Sequence, residues 1–235
     1  MMPQPENIDR LEIAKFEAVA PRWWDPKGAL KSLHDINPLR LGYIADRVRL
    51  ADRRALDVGC GGGVLSEALA LAGARVTGID MGETPLAVAS LHARQSGLCI
   101  DYRRGTAEDL ALSQPAGFDV VVCMELLEHV PDPPSIVRAC GRLVRPGGDV
   151  FFATLNRTAK SFVFAIVGAE YLLRLLPRGT HAFGRFVRPA ELAAWGRQAG
   201  LAARDFSGMQ YNPFTRRYRL GGGLEVNYLA HFKRP

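Results

Sequence analysis

Glu125, Glu128 and His129 stand at spacings of three and four in the segment Met124-Glu-Leu-Leu-Glu-His129, and they are residue types that can move a proton or hold a cation. On a helical turn all three face one way. Two carboxylates with an imidazole make an oxygen-rich donor set, which favours Mg²⁺ or Mn²⁺ over Zn²⁺. The metal-free reading of the same residues makes His129 a general base, because an imidazole titrating near pH 6.5 accepts a proton at neutral pH, and makes Glu128 the carboxylate that orients the loop. In the blandest reading His129 is a satisfied polar group. The metal and the metal-free readings both stand on these residues.

A second group is Asp57-Val-Gly-Cys-Gly-Gly-Gly63 with Asp80. A dinucleotide loop G-x-G-x-x-G fits Gly59 and Gly61 but requires glycine where Val64 stands. Three consecutive glycines instead suit close backbone approach to a ligand without a pyrophosphate. The two oxygens of Asp80 match a pair of adjacent hydroxyl donors. A structural turn beside a solvated aspartate is the plainer alternative.

The stretch from Arg54 to Asp80 places these groups, since it alternates a short apolar run, a glycine cluster, an apolar-periodic segment and a second apolar run. That is the βαβ unit of an open α/β sheet, in which ligands bind outside the carboxyl ends of the strands. Further strands are predicted at Cys99 to Arg104, Phe118 to Met124, Asp149 to Thr154, near Leu201 to Met209 and at Glu225 to Phe232. Helices are predicted over Thr84 to Ser96, from Pro131-Asp-Pro-Pro134 to Leu143, and over Pro189 to Ala199. The expected fold is α/β, Rossmann-like, with seven strands. Ahead of it, Ile8 to Ala20 reads as an amphipathic helix, followed by Trp23-Trp24 and a second helical stretch through Val48. Residues 1–50 therefore read as a helical lid on a single domain spanning 1–235. Trp23 and Trp24 would pack that lid down or close it over the crevice, and Arg40 is a bidentate partner for a carboxylate.

An insert, about 156–188, follows the fifth strand. Its run from Phe162 to Leu176 is apolar on almost every side, yet too short and too charged to span a bilayer. From Arg157 to Arg188 the cations Arg157, Lys160, Arg174, Arg178, Arg185 and Arg188 face the single acid Glu170. Such a segment suits an anionic lipid surface, or else packs on protein.

The 235 residues carry a formal charge of +6. This admits nucleic acid or a membrane surface as a partner, but no nucleic-acid-binding module is visible and none is expected to bind. Cys60, Cys99, Cys123 and Cys140 are far apart, lack metal spacing, and read as buried thiols in a reducing compartment. No signal peptide is expected from the first residues.

The glycine loop and Asp80 resemble the S-adenosylmethionine site of class I methyltransferases. The segments Glu12 to Ala20, Arg22-Trp-Trp-Asp25, Ile36 to Ile44, Leu56 to Gly63, Met124 to Pro133, Thr154-Leu-Asn-Arg157 and Val167-Gly-Ala-Glu-Tyr171 are similar to those of the ubiquinone biosynthesis O-methyltransferase family. The resemblance implies S-adenosylmethionine as cofactor, held by Arg40, Asp57, Gly59, Gly61, Asp80 and Met124, with Met81 against the adenine or simply in the core. It implies methylation of polyprenyl catechol and demethylubiquinol hydroxyls. It also implies a cytoplasmic enzyme at the inner face of the membrane, in company with other ubiquinone-biosynthesis proteins. Eukaryotic relatives bring Mg²⁺ to an acid, acid, His set matching Glu125, Glu128 and His129. A methyltransferase for another small phenol or RNA, and a non-catalytic lipid-binding protein, are the alternatives.

Overall fold

The computed structural model describes residues 7–161, 183–212, 215 and 217–235. Helix α1 (Arg10–Val19) begins at Asp9, whose carboxylate accepts the N–H groups of Leu11 and Glu12. Next comes α2 (Lys31–Ala45), which runs through Pro38. A proline inside a helix costs about 3 kcal/mol. The buried stripe of Ile36, Arg40, Tyr43 and Ile44 at helical spacing offsets that cost and makes one helix of what the proline divides in sequence.

The alternating part of the chain then follows as β1 (Arg54–Val58), α3 (Val64–Leu71), β2 (Arg75–Asp80), α4 (Glu83–Gln95), β3 (Asp101–Arg104), α5 (Ala107–Ser113), β4 (Phe118–Met124), α6 (Pro133–Leu143) and β5 (Val144–Leu155). After the single turn α7 (Ala159–Ser161) come α8 (Pro189–Gln198), β6 (Ala202–Asn212), β7 (Arg217–Leu220) and β8 (Asn227–Lys233). Most of the insert, including the apolar run from Phe162, lies outside the described residues.

The strands form one sheet in the order β3-β2-β1-β4-β5-β8-β6-β7. Pairings from β3 to β5 are parallel, whereas β8 lies antiparallel between β5 and β6. Strand order reverses between β1 and β4, which opens a crevice at their carboxyl ends. Both faces of the sheet are covered. Val120 and Val122 join Tyr43, Leu69 and Phe151 on one side, while Val121 and Cys123 join Ile136, Leu192 and Phe232 on the other. This alternation with burial on both faces explains why β4 reads as a continuous apolar run.

The sheet has eight strands among the described residues, not the seven expected. The extra one is β7, an edge strand whose Arg217, Tyr218, Arg219, Leu220 alternation carries the two-residue period. Tyr218 packs on Tyr211 at 4.8 Å, and the exposed arginines blunt the edge against further pairing. Cys99 is exposed, unlike the other three thiols. No helix among the described residues is long and apolar enough to cross a membrane.

Gly196 in α8 tests how tightly this core is packed. A Cβ added there would lie 2.4 Å from Cε1 of the buried Phe232. Alanine normally gains about 1 kcal/mol over glycine in a helix. Overpacking costs about 1–3 kcal/mol, so Gly196→Ala is expected to lower stability in a urea melt. A gain in stability would show that Phe232 has room to move.

Candidate active site

The chain turns after β1 through Gly59, Gly61 and Gly63, at φ of +73°, +51° and +86°. These are left-handed conformations that glycine adopts without strain. The N–H groups of Gly59 and Cys60 donate to the carbonyl of Ile79 at 2.9 and 3.0 Å, tying the loop to the end of β2. Asp80 continues from there. Its two carboxylate oxygens accept the N–H of Gly61 at 2.9 Å and of Gly82 at 2.8 Å. Burial raises its pKa, and those N–H groups work against the rise. Asp57, 3% exposed, accepts Ser66 Oγ at 2.6 Å and is pushed up to about 6 by burial.

Arg40, Asp57, Gly59, Gly61, Asp80, Met81, Met124, Glu125 and His129 all line one cavity of about 240 Å³. The structure thus brings together every cofactor residue expected from sequence. Arg40 is only 5% exposed and is ion-paired with Glu125, yet its Nε has no hydrogen-bond partner. A buried guanidinium with an unused donor, facing a cavity, fits a carboxylate ligand.

The expectation that Glu125, Glu128 and His129 share a face is not met. Glu125 has a φ of +55°, rare for a residue with a side chain, and its N–H donates to Ala153 at 2.8 Å. The following residues make only a single 3₁₀ turn, Leu127–His129. In consequence the three side chains diverge. Glu125 turns to Arg40. Glu128 is buried off the cavity lining and accepts Thr154 Oγ1 at 2.8 Å, with burial raising its pKa. His129 meets Glu12. Among the described residues no three such donors are grouped to hold a metal ion, so this arrangement does not fit Mg²⁺.

The electrostatics of His129 depend on α1. Its Nδ1 lies 2.8 Å from Glu12 Oε2, and the ring of Phe16 meets the imidazole edge-on at 5.1 Å. Burial alone would lower the imidazole pKa, but the Glu12 hydrogen bond and the nearby Glu128 charge outweigh it and the net shift is upward. In turn His129 holds Glu12 down to about 2, against the effect of burial and with help from Lys15.

Sequence reasoning did not find Glu12, because within α1 it reads as part of a solvated face. It also left open what the tryptophans do. Trp23 lies on the glycine loop so closely that a Cβ at Gly61 or Gly62 would come within 2.3 or 2.2 Å of its ring. Trp24 Nε1 donates to the Gly62 carbonyl at 2.9 Å, and its ring stacks on His92 at 3.5 Å. Gly61 and Gly62 therefore leave room for the indole that roofs the cavity, and Gly61 also makes the turn. Further ties run from Asn7 to Glu108 and Asp132, from Asp9 to Arg185, and from Glu17 to the start of α4.

A methyltransferase domain family matches residues 56–152. The ubiquinone biosynthesis O-methyltransferase of Pseudomonas syringae pv. tomato is 61% identical over 223 residues, covering 95% of this chain and 96% of that protein. That of Pseudomonas aeruginosa is 59% identical over 228 residues, with 97% and 98% covered. Among solved structures, a SAM-dependent methyltransferase from Thermotoga maritima aligns with a TM-score of 0.67 at 18% identity, over 95% of this chain and 100% of that one. The magnesium protoporphyrin IX methyltransferase of Synechocystis, solved with SAM bound, gives 0.65 at 15% identity, over 99% and 100%. These two likenesses establish the class I methyltransferase fold. The chain belongs to the ubiquinone biosynthesis O-methyltransferase family and is an S-adenosylmethionine-dependent O-methyltransferase.

Proposed function

We propose that the enzyme methylates phenolic hydroxyls of polyprenyl catechol and demethylubiquinol, with His129 as general base. The observation that carries this reading is the single cavity shared by the glycine loop, Asp80, Arg40 and His129. Asp80 would take the two ribose hydroxyls on lone pairs left over from Gly61 and Gly82, and Arg40 the carboxylate of the methionine part. The glycine loop and Asp57 would shape the floor, with Met81 and Met124 as apolar contacts. Bound there, S-adenosylmethionine supplies a methyl group activated by a sulfonium.

The chain's own part is to position the acceptor, exclude water and take one proton. Bringing an oxygen into line with the methyl is chiefly a matter of positioning. His129 accepts the phenolic proton, and Glu128, held by Thr154, supports the turn that carries it. No step in this proposal passes through a metal. The roof of 1–50 and the domain of 1–235 act as one unit in it.

An apolar polyprenyl substrate favours a cytoplasmic enzyme held at the inner face of the membrane, beside other ubiquinone-biosynthesis proteins. Support for an anionic lipid partner is the cation excess between Arg157 and Arg188. Flotation should detect binding to anionic liposomes that weakens with salt and falls when Arg178 and Arg188 become Glu, Arg185 being left in place because it is paired with Asp9. Equal binding to neutral liposomes would count against it.

Two substitutions test the cavity. Asp80→Ala removes a charged acceptor worth about 1.5–3 kcal/mol per hydrogen bond, so calorimetry should show cofactor affinity weakened at least tenfold. Unchanged affinity in a folded variant would misplace the ribose. His129→Ala should lower kcat by about 10²–10⁴ with cofactor affinity retained.

The raised pKa of His129 gives the pH dependence a sign. The base must be neutral to act, so kcat/KM should rise with pH and reach half its plateau above the usual 6.5. A flat profile would exclude this base. Turnover should survive EDTA; its loss, with recovery on adding Mg²⁺, would overturn the metal-free proposal.

A further inference from the structure

Glu12 and His129 are 117 residues apart in sequence, yet both line the cavity and their side chains meet at 2.8 Å. Glu12 is gripped at both oxygens. Oε2 takes His129 Nδ1, and Oε1 takes Lys15 Nζ at 2.7 Å. Phe16, one turn along α1, closes on the same imidazole. We infer that Glu12 is a positioning residue for the methyl transfer: it fixes the orientation and tautomer of His129, so that docking α1 over the cavity and assembling the base are one event. This rests on the reading of His129 as the base.

The chemistry follows from the two ring nitrogens. A carboxylate can only accept, so Nδ1 facing Glu12 must carry a proton and the lone pair of a neutral ring sits on Nε2. When the phenol ionises, its O–H bond breaks and the proton passes to Nε2. The oxygen keeps the electron pair with which it would take the methyl, while the sulfur–methyl bond breaks and leaves its pair on sulfur as a neutral thioether. Nδ1 keeps its own proton throughout, and the carboxylate of Glu12 stabilises the imidazolium until it gives the new proton to water. Glu12 touches neither substrate nor cofactor in this scheme.

A simple roof contact would predict something different from a positioning residue. Glu17 supplies the comparison, because it ties α1 to the start of α4 through the Glu83 N–H at 2.8 Å and Thr84 Oγ1 at 2.9 Å but does not line the cavity. Loosening the roof there should raise the KM for S-adenosylmethionine without a matching fall in kcat. Glu12→Gln keeps the size of the side chain, but its amide can donate to Nδ1 and so move the ring proton to Nε2. It should lower kcat by on the order of 10- to 100-fold with KM values little changed.

The test uses the full chain with S-adenosylmethionine and a soluble catechol analogue, and compares Glu12→Gln, Glu17→Gln, His129→Ala and the double variant Glu12→Gln/His129→Ala. The double variant should be no slower than His129→Ala alone, since Glu12 acts only through the imidazole. Nitrogen NMR, assigned by the signal that His129→Ala loses, should show the Nδ1–H tautomer in the wild type and its loss in Glu12→Gln. Should glutamine unsettle α1 in a thermal melt, Glu12→Asp retains the charge at a shorter reach and should fall between wild type and Glu12→Gln in kcat. Wild-type kcat in Glu12→Gln beside a crippled His129→Ala would overturn the inference and leave the base standing. Wild-type kcat in both would remove the base and Glu12 with it. Additive losses in the double variant, or a KM effect like that of Glu17→Gln, would reduce Glu12 to a roof contact.

Discussion

A buried guanidinium governs the architecture of this site. Arg40 is 5% exposed on α2, and a charge so far from water must be paired or it destabilises the fold by several kcal/mol. Glu125 meets it at the end of β4, from a left-handed backbone conformation that a side chain disfavours. Asp57 lies on the same cavity, and the Arg40 charge helps offset the burial that pushes its carboxyl upward. Glu125 is thus engaged with Arg40, and among the described residues no three donors of this set are grouped for a metal ion.

The other half of the site is built by the roof. Trp23 lies on Gly61 and Gly62, and Trp24 hydrogen-bonds to Gly62. The glycines thus answer two steric demands, a left-handed turn below and an indole above. Asp80 is fixed from the same loop by Gly61 and from the next turn by Gly82. Movement of the roof is consequently felt at the backbone that shapes the cofactor floor. His92 links this region to α3 as well, stacking on Trp24 while its Nδ1 meets Glu67 at 2.7 Å.

What the sequence made legible is local or periodic. The glycine loop, Asp80 one βαβ unit later, and the apolar run of β4 follow from turn chemistry and burial on both faces. Strand β7 was missed because four residues with two arginines fall below the usual strand signal. The left-handed φ of Glu125 has no local signature, since glutamate does not mark such a turn as glycine does. The partner its side chain meets lies 85 residues away at Arg40. The Glu12–His129 pair is hidden for the same reason, because a long-range ion pair leaves no spacing to read. Arg40 was singled out by guanidinium chemistry and by resemblance to relatives, while nothing around it in α2 marks its burial.

The composition of α1 sets it apart from the other helices that line the cavity. It contains no buried residue, although Phe16 and Val19 pack partly against the Trp23 cluster. Its fastenings are polar, through Asp9 and Glu17, while Glu12 turns inward to His129. Releasing it exchanges charge-assisted hydrogen bonds within the protein for hydrogen bonds to water, a loss of about 1.5–3 kcal/mol for each. Releasing a helix with a buried apolar stripe would instead expose area at about 25 cal/mol per Å². A roof fastened by carboxylates is therefore held by point contacts at its rim, separate from the apolar packing of the sheet. Closed, it excludes water from the cavity and strengthens every charge interaction within it. The acid that meets His129 belongs to α1, so the orientation of the imidazole depends on how that helix is seated.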